Sequence, residues 1–196
     1  PEGCPPSSYV QLKFPESKKN KSEAKMIWTD GGLRAVHPDL IPAGDALGDP
    51  DSSNGVLMMG KKGILMCGTY GNYPKVYLKG GKQITQEIQQ SDLQKQPENG
   101  HQLAWTRACK AGFGSKEHQS LTSSFDIAGP LTETVLMGNL AIRSYGLRKA
   151  NTDGRGFSYP GRQKLLWDGT SMKITNFDEA NQFVRREYRG GWSLGA

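Results

Sequence analysis

The sequence predicts an α+β fold in which an open, mainly antiparallel β-sheet has helices packed on one face. Short apolar runs come in pairs around tight turns, a pattern typical of β-hairpins. A few other segments repeat apolar residues at the spacing of an amphipathic helix. With 196 residues, 35% of them hydrophobic, the chain can bury a core of its own, and we expect one domain over residues 1–196.

The chain opens with a predicted hairpin and a long loop. Residues 8–14 alternate polar and apolar side chains, which predicts a half-buried strand, and residues 25–29 form the returning strand. Residues 30–51 contain glycines and prolines that exclude a helix or a strand ladder, and five aspartates against Arg34. Because long ordered loops in compact domains are usually functional, this loop is the first place to look for a site.

A second hairpin is predicted from two apolar runs. Gly55–Met59 and residues 63–69 flank a Gly-Lys-Lys-Gly turn. The two runs alternate little, so we expect both faces of this part of the sheet to be covered. Lys75–Leu78 is predicted as the next strand, and residues 83–100 as a polar loop with a frayed helical turn.

Two segments carry clear helical periodicity. Residues 101–110 form the first predicted helix, which Gly112 and Gly114 end. Residues 130–145 form the second, with Pro130 at the first helical position. Its predicted buried stripe consists of apolar residues and one amide: Leu131, Val135, Leu136, Asn139, Leu140 and Ile142.

The end of the chain predicts two short strands and a last helix. Residues 164–167 and 172–174 flank an Asp-Gly turn. A helix is expected over residues 177–188, with Asn176 as its cap and Glu179 completing a capping box.

The sequence lacks the motifs of several kinds of binding and structural site. Neither a GxGxxG turn after a strand nor a GxxxxGK[ST] loop occurs, so no cradle for a pyrophosphate is predicted. The three histidines have no metal-ligand spacing. The three cysteines do not suggest a disulfide framework, and we expect Cys67 and Cys109 to be buried, unreactive thiols.

The net charge of +6 is unevenly distributed. Residues 143–164 hold six basic side chains against Asp153 alone. They lie in a loop without a repeating aromatic pattern, which favours a solvated loop or an acidic neighbour over nucleic acid. No apolar stretch approaches the roughly 20 residues of a membrane span. Residues 1–6 lack the features of a signal peptide, so we expect the chain to begin within a longer protein.

Polar and aromatic loop residues suggest a sugar-binding surface, because rings suit the C–H faces of a sugar while amides and carboxylates suit its hydroxyls. Alternatively, Trp28 packs in the core, Asp30 only shapes a turn, and His37 is a solvated loop residue. The candidates form two clusters, the first with Trp28, Asp30, Arg34 and His37, the second with Tyr70, Asn72 and Tyr73.

Several short segments, in order along nearly the whole chain, form a recognisable set. The early segments are WTDGGL at residues 28–33, GVLMMGKKG at 55–63 and CGTYG at 67–71. The later ones are SFDIAGPLTE at 124–133, GNLAIR at 138–143, LWDG at 166–169, MKITN at 172–176 and REYRGGW at 186–192. Together these segments resemble the bacterial-type carboxy-terminal domain of Gfo/Idh/MocA oxidoreductases.

This resemblance implies the substrate-side domain of an NAD(P)-dependent oxidoreductase of sugars or sugar derivatives. An amino-terminal Rossmann domain, outside this chain, would hold NAD or NADP. The family's catalytic lysine and histidine precede the present domain, so His37 and His101 do not take that role, and we assign no catalytic, cofactor-binding or metal-binding residue here.

The expected partners are the Rossmann domain, a sugar-like small molecule and further copies in a homo-oligomer, without nucleic acid or a membrane span. The alternative is a non-catalytic carbohydrate-binding or oligomerisation module. The sequence does not determine the compartment: exported relatives favour the periplasm, and otherwise the protein is cytoplasmic.

Overall fold

Helices and small antiparallel sheets make up the structure, a computed structural model that describes residues 3–18, 20–52, 54–81, 83–84 and 100–192. This confirms the α+β class. The elements in chain order are β1 (Tyr9–Phe14), β2 (Ala24–Thr29), β3 (Gly55–Met59), β4 (Gly63–Gly68), β5 (Lys75–Leu78), β6 (Gln83–Ile84), α1 (Gly100–Ala111), α2 (Lys116–Gln119), α3 (Phe125–Tyr145), β7 (Lys149–Ala150), β8 (Phe157–Ser158), β9 (Trp167–Asp168) and β10 (Lys173–Ile174), with 3-10 turns at Thr69–Gly71 and Asp178–Phe183.

Contacts divide the chain into two compact units. The first comprises Pro1–Arg34 and Thr122–Ala196, and the second Ala35–Leu121. The loop predicted over residues 83–100 lies mostly outside the described residues; its first two residues form β6 and its last begins α1.

The first unit is built on the β1–β2 hairpin, in which Tyr9 pairs with Thr29 and Phe14 with Ala24. Val10 is buried whereas Tyr9 is exposed, which confirms the half-buried strand. Helix α3 packs on β1, and a side chain added at Gly138 would begin 3.9 Å from Val10 Cγ1. The hairpin and the helix therefore meet at Gly138, a residue that has no side chain.

Helix α3 begins five residues earlier than predicted, at Phe125. The carbonyl of Ser124 accepts hydrogen bonds from the backbone N–H groups of Ile127 and Ala128, at 2.9 and 2.8 Å. Pro130 therefore lies inside the helix, where its missing N–H removes one intrahelical hydrogen bond. Gly129 has no Cβ to clash with the proline ring, so the helix continues through this position.

The predicted buried stripe of α3 is wrong at four of its six positions, Leu131, Val135, Leu136 and Asn139, which are exposed. Leu131 and Val135 are each 62% exposed and Leu136 is 50% exposed, while Ser144 is fully buried. The helix instead places Gly138 near Val10 of the hairpin. Periodicity alone selected the larger apolar residues, whereas the residue that meets Val10 is a glycine, which has no side chain.

The last predicted helix is a short 3-10 turn, Asp178–Phe183, without a side-chain cap. Asn176 is engaged elsewhere: its Oδ1 accepts from the Leu166 N–H at 2.7 Å, and its Nδ2 donates to the Lys164 carbonyl at 2.7 Å. These bonds support the β9–β10 ladder, which is shorter than predicted. The capping-box prediction is therefore wrong, because Asn176 bridges two strand ends instead.

The second unit contains a four-stranded antiparallel sheet in the order β3-β4-β5-β6. One face carries a core of Ile64, Met66 and Tyr77, which Ile41 from the preceding loop completes. The loop, which we call the strap (residues 35–54), has neither helix nor strand at its described residues, as predicted for residues 30–51.

No segment of the described residues covers the opposite face of this sheet, so the cover predicted for this face does not come from that part of the chain. Register places Met58 opposite Leu65 and Leu65 opposite Val76. Met58 and Leu65 are exposed, and Val56 is exposed on the same side of β3. We call Val56, Met58, Leu65, Val76 and Leu78 the bare face.

Helix α1 ends as predicted, at a glycine. Gly112 has a φ of +90°, and its N–H donates to the Ala108 carbonyl at 3.0 Å. Cys109, however, is exposed on this helix and Cys67 is only half-buried, so the prediction of two buried thiols is wrong.

Candidate functional site

Asp30 lies at the centre of the first predicted cluster, at the open end of the β1–β2 hairpin. Its carboxylate accepts hydrogen bonds from the Ser8 N–H at 2.7 Å, the Ser8 hydroxyl at 2.8 Å and the Trp28 indole at 2.8 Å. The Trp28 indole first, and then Ser8, hold the pKa of Asp30 below its ordinary value. Asp30 is therefore a charged group whose two oxygens are already used by its own hairpin.

Trp28 does not pack in the core, since its side chain is exposed on β2. Its ring is oriented by the bond to Asp30. Gly31 then turns the chain with a φ of +62°, where a Cβ would lie 2.0 Å from the Pro6 carbonyl oxygen. This part of the cluster presents an oriented indole ring beside a tight, glycine-dependent turn.

His37 belongs to the second unit, whereas Trp28, Asp30 and Arg34 belong to the first. Its Nε2 lies 3.4 Å from the backbone carbonyl oxygen of Asp45, a contact within the strap, to which both residues belong. The predicted first cluster is therefore distributed over the two units.

Asp45 anchors the strap to the covered face of the sheet. Its carboxylate accepts a hydrogen bond from the Tyr77 hydroxyl at 2.6 Å and lies 3.4 Å from the Lys75 ammonium. The Tyr77 bond is the main reason why the pKa of Asp45 lies below its ordinary value, with Lys75 adding to it. Burial, and then the Asp45 carboxylate, raise the pKa of Tyr77. The charged carboxylate of Asp45 in the strap and the neutral phenol of Tyr77 in the sheet thus stabilise each other.

A second aspartate of the strap binds the end of β4. Asp49 Oδ2 accepts from both the backbone N–H and the hydroxyl of Thr69. Gly68 makes room for this contact, because a Cβ there would lie 2.0 Å from Asp49 Oδ1. The strap is therefore fixed to the sheet where β4 passes into the turn that carries the second predicted cluster.

That turn, residues 69–73, displays two tyrosines, and we call it the tyrosine turn. Tyr70 is 97% exposed and Tyr73 is 63% exposed. Both have positive φ values, 60° and 50°, which residues with side chains rarely adopt. The backbone of Asn72 closes the turn: its carbonyl accepts from the Gly68 N–H at 2.7 Å, and its N–H donates to Thr69 at 3.2 Å. Strained backbone of this kind concentrates at ligand-binding positions.

A further ordered carboxylate lies in the first unit, on α3. Glu133 Oε1 accepts from the Trp167 indole at 2.7 Å. A Cβ at Gly169 would lie 2.7 Å from the same oxygen. In the neighbouring β9–β10 turn, the Ser171 hydroxyl lowers the pKa of Asp168 by donating to it at 2.6 Å. These contacts join the LWDG segment to the helix.

Sequence reasoning missed Asp45, Tyr77, Asp49 and Thr69. A signal did exist, since the strap is rich in aspartates and β5 carries Lys75 and Tyr77 at alternate positions. Asp45 is 30 residues from Lys75 and 32 from Tyr77 in the sequence. Asp49 is 20 residues from Thr69, so no local spacing connects these partners.

The site residues that this structure brings together are polar and aromatic. Within the described residues no group of three or more His, Cys, Asp or Glu side chains could hold a metal ion. Over the same part of the chain, no helix is both long and apolar enough to cross a membrane. What the tyrosine turn offers is two exposed rings beside an amide side chain, which suits recognition of a ligand with apolar faces and hydroxyl groups.

The chain matches no known protein-family model and none of the curated proteins with which it was compared. The family resemblance therefore rests on the sequence segments themselves.

Proposed function

We propose that the chain is the carboxy-terminal, substrate-side domain of an NAD(P)-dependent oxidoreductase of the Gfo/Idh/MocA type that acts on a sugar or a sugar derivative. The support is the ordered run of resembling segments from residue 28 to residue 192. The proposal includes the finer fold, an open antiparallel sheet with helices on one face, to which the hairpins described above would contribute strands.

The observation that carries the sugar-binding part is the tyrosine turn. Tyr70 and Tyr73 keep their rings exposed at a cost in backbone strain, which packing does not explain because neither ring is buried. Asn72 adds an exposed amide between them, which can both donate to and accept from sugar hydroxyls. Rings and amide together match the two kinds of surface that a sugar presents.

The chain would position the substrate and would not transfer the hydride. Hydride would pass between a sugar carbon and the nicotinamide held by the Rossmann domain, with an acid/base group of that preceding region moving the hydroxyl proton. The present domain would form one wall of the pocket and fix the orientation of the sugar. His37, which lies in the strap near the Asp45 carbonyl, has no part in the proton transfer in this proposal.

Sugar titrations of the chain and its variants test the tyrosine turn. We expect Tyr70→Ala and Asn72→Ala each to weaken sugar binding by about tenfold, the equivalent of 1.4 kcal/mol. Tyr188→Ala is the matched control, because Tyr188 is also exposed but lies in the first unit. Equal affinity of all three variants and the unchanged chain would contradict the assignment.

A second function, association with further copies, is favoured by the bare face. Four of its residues, Met58, Leu65, Val76 and Leu78, line an open groove of about 340 Å³ with Lys61 and Lys62 at the hairpin end. Exposed apolar surface of this kind marks contact sites, and a stable interface covers roughly 800 Å2 per partner. We expect light scattering to show a concentration-dependent dimer or larger homo-oligomer. Only monomer at high concentration would exclude this function, and an oligomer without sugar binding would favour a purely structural module.

A further inference from the structure

The basic segment that runs from the last turn of α3 toward β9 has no role in the proposed function. Residues 143–164 hold six basic side chains against Asp153 alone. The structure adds what the sequence pattern did not reveal: three of the four arginines of this segment lie over aromatic rings. The segment belongs entirely to the first unit.

Two arginines define a surface that we call the arginine–ring surface. Arg162 lies between two tyrosines, with its guanidinium carbon 3.8 Å from the ring centre of Tyr159 and 4.7 Å from that of Tyr145. Arg148 lies over Phe157, at 4.6 Å from the ring centre. Guanidinium groups stack on ring faces in this way through cation–π attraction.

The backbone beneath this surface is fixed by close packing. Gly161 is buried against the end of α3, where a Cβ would lie 1.8 Å from the Ser144 carbonyl oxygen. The Arg162 N–H donates to the Tyr159 carbonyl at 3.1 Å, and the Gln163 side chain donates to Pro160 at 2.8 Å. Arg162 therefore projects from a turn that has little freedom to move.

The β7–β8 hairpin holds the other arginine in a similar way. Ala150 pairs with Phe157, and the Asn151 side chain closes the connecting loop by donating to the Arg155 carbonyl at 2.7 Å. Asp153, the only acidic residue of the segment, accepts from the Arg155 backbone N–H at 2.9 Å. Its carboxylate is thus used within the loop.

Both stacked arginines keep the edges of their guanidinium groups for a ligand. Stacking uses the face of the group, while its five N–H donors lie in the plane and point outward. Among the residues that the structure describes, no carboxylate lies within 4.0 Å of Arg148 or Arg162. Lys149 differs, because Glu179 already forms an ion pair with it. Both arginines are exposed.

We propose that the arginine–ring surface binds an acidic saccharide through its carboxylate or sulfate groups. A planar guanidinium edge matches such oxyanions with two parallel hydrogen bonds, and the stacked ring reduces the entropy lost when the arginine is fixed. The choice of a saccharide as the carrier of the anion rests on the proposed function. Single-stranded nucleic acid is less well matched, because each ring has a guanidinium on one face instead of offering a series of free platforms for bases.

The test compares four ligands at one low ionic strength: an oligomer of galacturonic acid, a sulfated heparin-type oligosaccharide, a neutral glucose oligomer and single-stranded RNA. We expect one or both acidic saccharides to bind, the neutral oligomer not to bind at this surface, and RNA to bind more weakly than the acidic saccharides. Comparing the affinities for the galacturonic acid oligomer and the sulfated oligosaccharide identifies which anion is preferred.

Substitutions then assign the binding to the surface. We expect Arg148→Ala and Arg162→Ala each to reduce affinity for the acidic saccharide by about tenfold or more. Arg162→Lys should lose a similar factor, because it keeps the charge but loses the two-point contact. The matched control is Arg107→Ala, which removes the same charge from the exposed side of α1 and should leave the affinity unchanged.

Three results would overturn the proposal: no acidic saccharide binds to the folded chain, RNA binds more tightly than both of them, or Arg107→Ala weakens binding as much as Arg162→Ala. Circular dichroism spectra establish that each variant is folded. The outcome is separable from that of the proposed function: binding that depends on Tyr70 but not on Arg162 would contradict this inference alone. Binding that depends on Arg162 but not on Tyr70 would contradict the tyrosine-turn assignment alone.

Discussion

The two faces of the four-stranded sheet contain the same kinds of residue, yet within the described residues one is a core and the other is left uncovered. On the covered face, Met66 and Tyr77 are each only 2% exposed beneath the strap. On the bare face, Met58 is 59% exposed. The difference arises from the strap, which places Ile41 among the core residues and Asp45 on Tyr77. An apolar face becomes a core only where another segment has the residues to cover it.

The largest expected effect is on stability, and it is tested by replacing one methionine on each face of the sheet. Met66→Ala should lower the free energy of unfolding by about 2–5 kcal/mol, because it leaves a cavity beneath the strap. Met58→Ala, the matched control, should change it by no more than about 0.5 kcal/mol. Urea unfolding of both variants measures the difference, and equal losses would show that the bare face is also a core.

A smaller effect is expected from the bond that fixes the strap. In Tyr77→Phe the hydroxyl that lowers the pKa of Asp45 is missing, so this pKa should rise toward its ordinary value of 3.8. The pH titration of the Asp45 carboxyl by nuclear magnetic resonance measures the shift.

The sign of the accompanying pH dependence follows from the lowered pKa. The stability that the ionised Asp45 contributes is present above pH 3.8 and is lost as the pH falls through the lower folded-state pKa. The stability difference between the unchanged chain and Tyr77→Phe should therefore shrink in strong acid. A difference that grows on acidification would contradict the role of the Asp45–Tyr77 bond.

Helix α3 extends the comparison to the first unit. Leu136 is half exposed, so Leu136→Ala should lower the free energy of unfolding by less than about 1 kcal/mol. Ile174→Ala, a buried position of the same unit, is the control and should cost about 2–5 kcal/mol. Thermal or urea unfolding distinguishes them, and a large loss for Leu136→Ala would restore the stripe that the sequence predicted.

The smallest effect on stability is expected from a charge on the bare face. Met58→Lys should leave the free energy of unfolding within about 0.5 kcal/mol of its original value. It should nevertheless weaken self-association, because a desolvated lysine on the apolar surface has no partner. Light scattering against concentration provides the measurement, and an oligomer of unchanged strength would place the interface elsewhere.

The sequence predicted those parts of the fold that depend on neighbouring residues. Alternation identified β1, and glycine identified both the β3–β4 turn and the end of α1. The prediction from the sequence failed where residues that are distant in the chain determine the local structure. Asn176 resembles a helix cap, but its side chain bonds to Leu166 and Lys164.

The candidate site was likewise predicted only where its residues are close together in the sequence. Tyr70 and Asn72 share one turn, as their spacing predicts, and Trp28 lies beside Asp30 for the same reason. The strap contacts join residues as far as 32 positions apart, which no local pattern encodes. The engagement of Asp30 with Ser8, across the hairpin, is likewise visible only in three dimensions.

The central proposal, a sugar-side domain that depends on a separate nucleotide-binding domain, is tested most directly by nicotinamide titration. Fluorescence of NADH and NADPH should report micromolar binding to the complete gene product and no saturable binding to residues 1–196 alone. Micromolar binding by residues 1–196, or none by the complete product, would contradict it.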